Sequence, residues 1–195
     1  MRYLPIDNKL FTENRERYKA HLLPKSIAFF NANDEMPRSA DQNYPFHQHP
    51  DLFYLSGIDQ EQSILMLFPD CPNPLYREVL FLRQTNDHIK VWEGYKYTKE
   101  EAKKASGLEQ VFWLDEFWSV LQSIIHYAEN IYLNTNENDR SVYEVPYRDL
   151  RFIQQLKERY PLHQYERSAL ILRDLRPLKS EIEVQLTKKA CEITR

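Results

Sequence analysis

A chain of 195 residues, 42% hydrophobic and 28% charged, has the size and balance of one ordinary globular core with room for a short appendage. Its net charge of −3 arises from acids and bases interspersed along the whole length, which argues against a nucleic-acid surface, where Lys and Arg gather on one face. Only three glycines occur, which excludes a phosphate-cradling loop, and no apolar run has the length of a membrane span or an export signal.

Leu10 to Leu23 reads as a helix, with Thr12 placed to cap it, Tyr18, Leu22 and Leu23 on one face, and Pro24 as its stop. Ser26 to Asn31, SIAFFN, is a short buried strand. Asn33 to Pro50 is polar and holds Pro37, Pro45 and Pro50, so it reads as loop. At roughly 18 residues it exceeds the usual connection, and loops of that length are commonly functional or interfacial. Leu52 to Leu55 reads as an aromatic strand closed by Ser56-Gly57. Ser63 to Phe68, SILMLF, is apolar throughout, as expected of a strand covered on both faces. A turn over Pro69 to Pro74 leads into EVLFL, Glu78 to Leu82, and His88 to Trp92 forms a further short strand candidate.

Thr98 and Glu101 make a capping box for a helix ending at Ser106, with Gly107 as its stop. Asp115 is positioned to cap the next helix, where Phe117, Leu121, Ile124, Ile125 and Ala128 follow helical spacing. Asn130 to Leu133 is strand, Tyr147 to Tyr160 helix with Leu150, Ile153 and Leu156 inward, and Leu162 to Tyr165 a strand candidate. Ser180 and Glu183 form a second capping box, and Ile182, Leu186, Ala190 and Ile193 trace one face of a helix that runs to Arg195 without a stop signal. Strands and helices mixed in this way predict an α/β sheet flanked by helices, and the uncapped last helix reads as the start of something further.

Few groups offer chemistry. His47 and His49, two apart in an extended segment, point the same way, but only Asp51 is at hand as a third metal ligand. The plainer reading is that they hydrogen-bond within a loop or interface, as does the neighbouring Tyr44. Asp34, Glu35 and Asp41 flank the same loop and read as solvated carboxylates. Ser56 lacks a nucleophile-elbow context, and His126 and His163 stand alone. Trp92, beside a polar Gly94 turn, reads either as core or as an exposed contact ring. Cys71 and Cys191 are far apart and read as free thiols of a reducing cytoplasm.

Several segments together resemble the N-terminal domain of the creatinase, prolidase and aminopeptidase P family, in particular that of bacterial Xaa-Pro aminopeptidases. They are PRSAD (Pro37 to Asp41), NYPFHQHPDLFYLSGI (Asn43 to Ile58), SILMLF, VWEG around Trp92, and LRDLRPLKSEIEV (Leu172 to Val184). The resemblance implies a mixed, mostly six-stranded sheet flanked by helices over residues 1–176, with residues 177–195 opening the first helix of a "pita-bread" catalytic domain. It implies a parent metallo-aminopeptidase that removes the residue before a penultimate proline. Two Mn²⁺ ions would be held by two Asp, two Glu and one His of that catalytic domain, with no metal in this chain and no activity of this piece alone. Its partners would be that catalytic domain, further copies in a dimer or tetramer, and a peptide with proline second, with no nucleic acid and no membrane. Trp92 matches the tryptophan that bacterial members project into a neighbouring subunit's substrate pocket. His47 departs from the arginine common after the Tyr-Pro-aromatic triplet, so a fixed charge there becomes conditional on protonation. Two alternatives stay open: a prolidase parent that cuts Xaa-Pro dipeptides, and a free-standing, non-enzymatic binding module.

Overall fold

The computed structural model describes residues 5–85 and 94–194. In chain order its elements are α1 (Lys9–Lys19), β1 (Ser26–Asn31), β2 (Pro37–Ser39), β3 (Gln42–Asn43), α2 (Pro50–Ser56), β4 (Ile64–Leu67) and β5 (Glu78–Leu82). After them come α3 (Lys99–Ser106), β6 (Gln110–Trp113), α4 (Phe117–Ile124), β7 (Asn130–Leu133), α5 (Arg148–Arg159), β8 (Gln164–Arg167), α6 (Ser168–Leu175) and α7 (Glu181–Ile193).

Six strands form one sheet in the order β6-β5-β4-β1-β7-β8, while β2 and β3 pair separately as a small hairpin. Strand β4 runs antiparallel to both its neighbours, β1 (Asn31↔Ile64) and β5 (Ile64↔Phe81). The pairs β1–β7, β7–β8 and β5–β6 are parallel, so β4 alone opposes the other five strands. The mixed, six-stranded sheet expected from the pattern and the resemblance is therefore the one that forms.

Every residue of β1 is buried, and its side chains alternate between the two faces. Ala28 and Phe30 join Tyr18, Leu52, Leu55, Leu65, Leu80 and Leu172 under α1, α2, α3 and α6. Ile27 and Phe29 join Met66, Phe81, Phe117, Leu121, Phe152 and Leu156 under α4 and α5. Phe29 meets Phe117 and Phe152 edge-on, at centroid distances of 5.9 and 5.5 Å. Truncating such a ring to Ala costs about 4 kcal/mol in lost transfer energy and residual cavity.

A buried cation stitches the first face. Arg15 on α1 donates from Nε to Glu78 Oε2 at 3.0 Å, and from Nη1 to the carbonyls of Leu55 (2.9 Å) and Ser106 (3.0 Å). One side chain thus ties α1 to β5, α2 and α3. Burial lowers its pKa, and Glu78 opposes that shift.

Several expectations are corrected. Leu52 to Leu55 is not a strand but lies inside α2. The His49 ring accepts from the Asp51 N–H at 3.2 Å, Pro50 occupies the first helical turn, and Gly57 ends the helix at φ 68°. A Cβ at Gly57 would lie 2.2 Å from the Phe11 ring, so glycine answers both the backbone and the packing there. Thr12 sits within α1 and bonds back to the Asn8 carbonyl, and that helix ends at Lys19 rather than at Pro24. Glu116, not Asp115, reaches back to the Trp113 N–H at 2.8 Å before α4. The strand candidate at Leu162 to Tyr165 forms two residues later, as β8. The His88 to Trp92 candidate lies outside the described residues.

Candidate functional site at the carboxyl edge of the sheet

Because β1, β7 and β8 run parallel, their carboxyl ends open on one edge, the usual place for a crevice in an α/β sheet. Each strand delivers a polar residue there: Asn31 closes β1, Asn134 follows β7, and Arg167 closes β8. Opposite them stand His49, Pro50 and Asp51 at the start of α2, and Asp149 in the first turn of α5.

Asp51 is the hub. Its Oδ1 receives Arg176 Nη1 at 2.7 Å, and its Oδ2 receives Asn134 Nδ2 at 2.8 Å. His49 spends Nδ1 on the cap of α2, which leaves Nε2 facing Asp149 Oδ2 at 3.8 Å, too long for a hydrogen bond. Asp149 is buried and accepts from Asn31 Nδ2 at 2.8 Å. Burial is the main force raising its carboxyl to about 7, with Asn31 opposing and the Asp51 charge adding to the rise. The His49 imidazole is pushed below its ordinary value by burial, against the pull of Asp51. Two acceptors in this network, Asn31 Oδ1 and Asn134 Oδ1, are buried without a partner.

Above the hub lies a crevice of about 1040 Å³. Its walls carry Arg167, Arg173, Arg176 and Lys179 against Asp51 and Glu137, so the lining has an excess of positive charge. Tyr143 and Tyr147 add an edge-to-face aromatic pair at 5.1 Å. The arrangement suits a polar, acidic surface laid across it better than proton-transfer chemistry, because its one imidazole is occupied as a helix cap.

It does not suit a metal ion either. Asp51 has both oxygens engaged by donors and His49 has Nδ1 engaged, so this pair is committed to Arg176, Asn134 and the cap of α2. Among the described residues no group of three or more His, Cys, Asp or Glu is arranged to hold a metal.

The residues singled out in the sequence fare unequally. His49 is drawn into the network, as cap and as neighbour of Asp149. His47 is exposed, and its carbonyl accepts from Asn33 Nδ2 at 3.0 Å. Tyr44 is exposed at the base of the β2–β3 hairpin. Trp92 lies outside the described residues, but the chain on either side of its segment is anchored to buried Glu61, which pairs with Lys96 and lies 3.8 Å from Arg83. Asn31, Asn134, Asp149 and Arg176 were not foreseen. The available signal was an asparagine at the end of each of two apolar strand runs, SIAFFN and NIYLN, where a fully apolar ending would be expected.

The chain belongs to the family defined by the aminopeptidase P N-terminal domain, whose model matches residues 11–132. Among its relatives is the Xaa-Pro aminopeptidase of Haemophilus influenzae, 26% identical over 63% of this chain and 28% of that protein. Another is the intermediate cleaving peptidase 55 of Schizosaccharomyces pombe, 27% identical over 77% of this chain and 31% of that protein. A solved structure of a provisionally assigned aminopeptidase P from Bacillus anthracis superposes with a TM-score of 0.83 at 27% identity, covering 94% of this chain and 43% of that one. The chain therefore spans less than a third of these curated relatives and under half of the structural one. Among the described residues no helix is long and apolar enough to cross a membrane.

Proposed function

We propose that this chain is the non-catalytic N-terminal domain of a dinuclear-metal Xaa-Pro aminopeptidase, where it borders the substrate entrance and supports oligomerisation. One observation carries the reading: the family model matches residues 11–132, which hold β1 to β6 and reach into β7, and the fold superposes over 94% of the chain on an aminopeptidase P structure at 27% identity. The division of labour follows from the chemistry. An Xaa-Pro amide offers no N–H and has a fixed φ, and in this reading a metal-activated water held by the catalytic domain hydrolyses it. The two Mn²⁺ ions belong to a catalytic domain that follows residue 176. The crevice edge and α7, none of whose residues is buried, supply surfaces on which that domain rests.

In this reading Trp92, which lies outside the described residues, contributes to a neighbouring subunit's substrate pocket. The test uses the parent polypeptide with Xaa-Pro-Yaa peptides and Xaa-Pro dipeptides. Turnover of the longer peptides, with W92A lowering their kcat/KM about tenfold while the melting temperature stays within about two degrees, is the expected result. Activity confined to dipeptides would make the parent a prolidase, and peptide cleavage by the isolated 195-residue chain would end the reading altogether.

A further inference from the structure

A second recess lies at the same sheet edge but on the opposite face, between α4 and α5. Its volume is about 250 Å³, and it is walled by Ile64, Leu114, Phe117, Trp118 and Phe152. Along α5, Arg148, Arg151, Phe152 and Gln155 form one stripe at helical spacing, and all four line it. The recess thus has aromatic walls and a polar rim of two guanidiniums and one amide.

The two cations are not equivalent. Arg151 is committed: Nη2 donates to Asp34 Oδ1 at 2.5 Å, and Nη1 donates to Asp34 Oδ2 and to the Pro146 carbonyl. The backbone N–H of Arg148 donates to the same Asp34 Oδ2 at 2.9 Å, so both oxygens of that carboxylate are engaged. The Arg148 guanidinium itself is half-buried, and among the described residues it forms no hydrogen bond or ion pair. Asp149, the next residue, is turned to Asn31 instead. The Arg148 guanidinium thus stands half-buried beside an apolar recess, within the electrostatic reach of Asp34 and Asp149 but with no direct partner among the described residues, so an incoming carboxylate can take it by charge-assisted hydrogen bonds.

We propose that this recess is a binding site for a small apolar monocarboxylate. Arg148 takes the carboxylate in fork geometry, Gln155 adds an amide donor, and Phe117, Trp118 and Phe152 enclose the apolar body. A volume of 250 Å³ limits the ligand to about fragment size, below the usual range of cofactor pockets. A free α-amino acid is disfavoured, because its ammonium would stand between two guanidiniums, with Asp34 already engaged by Arg151 and the Arg148 N–H and Asp149 turned to Asn31. The chemistry is shared by free aryl- or alkyl-carboxylates and by the apolar C-terminal residue of a peptide. The site is independent of the crevice above Asp51 and of the peptidase reading.

The test is titration of the isotope-labelled chain with 3-phenylpropionate, followed by the NMR signals of the Trp118 indole and the Gln155 side-chain amide. The expected result is saturable shifts at both groups, with 3-phenylpropionamide and the R148Q variant each binding at least roughly tenfold more weakly. N-acetyl-alanyl-phenylalanine, as the free acid and as the amide, separates a peptide terminus from a free acid as the source. A second variant, L114W, fills the recess without touching the cations and should abolish binding in a folded protein; it decides the matter alone if R148Q does not fold. Equal affinity for acid and amide, unchanged binding in R148Q, or no saturation at millimolar ligand would each overturn the proposal.

Discussion

Two of the polar centres buried among the described residues are built on opposite plans. Around Arg15 the donors Nε and Nη1 are fully used: Glu78 and two backbone carbonyls are met at hydrogen-bond distance, and Lys19 adds to the Glu78 carboxylate at 2.5 Å. Around Asp149 and Asp51, two asparagine acceptors are left orphaned and an imidazole stands 3.8 Å from a carboxylate. The first centre joins four elements and lies away from the crevices. The second underlies the largest crevice described. A saturated network fixes structure, because breaking any one bond strands another group; an unsaturated one at an open edge retains capacity for something else.

The sharpest way to break that contrast is R15M. It strands the Leu55 and Ser106 carbonyls, so we expect a loss of about 3 kcal/mol in urea denaturation, with Glu78 partly rescued by Lys19. A loss below about 1 kcal/mol would mean that the buried cation is decorative.

D149N should act in the opposite direction. With a folded pKa of about 7 against an ordinary 3.8, the folded protein keeps a proton that the unfolded chain releases. This group therefore costs nothing below about pH 4, lowers stability as pH rises towards 7, and holds that penalty above it. Replacing it by Asn should raise stability at pH 8 by about 2 kcal/mol and remove the decline. What remains is the slope of His49. Its lowered folded value means that the unfolded chain gains a proton below pH 6.5 that the folded one refuses, so stability falls on acidification. Thermal melts of both proteins across pH 4 to 8 measure each slope, and a D149N variant less stable at pH 8 would show that its neighbours hold the carboxylate ionised.

The smallest effect is expected from R176A. Its guanidinium pairs with Asp51 at 2.7 Å, but its side chain is 43% exposed, so solvent screening limits the loss to less than about 1 kcal/mol. Salt should weaken the wild-type pair further, and a salt-insensitive loss of 2 kcal/mol or more would move this region into the class of Arg15.

Most of the sheet could be read from the sequence because its strands are short runs with apolar centres: SIAFFN and EVLFL form over the residues expected. LFYL misled for the same reason. An apolar tetrapeptide suits a strand or a buried helix equally, and the deciding signal was the flank, where a histidine acts as cap before Pro50. Strand β6 and helix α6 went unread: the first has two partly buried aromatic positions, and the second follows β8 with no loop to announce it. The site was less legible still. Asp51 and Asp149 are distant in sequence and meet only because β1 and β7 lie side by side, whereas His49 was found because it sits within a recognisable motif.

That adjacency also governs how the polypeptide comes to be. Strand β1 pairs on one flank with β4 soon after it is made, but its other flank waits for β7, where Ser26 meets Asn130. At ordinary ribosomal speeds of about 5–20 residues per second, that hydrophobic edge stays open for roughly 5 to 20 seconds. By then β4, β5 and β6 have also been made, so the border of β1 that faces β7 is the later of its two flanks to find a partner, and an unpaired, largely apolar strand edge invites pairing with other chains.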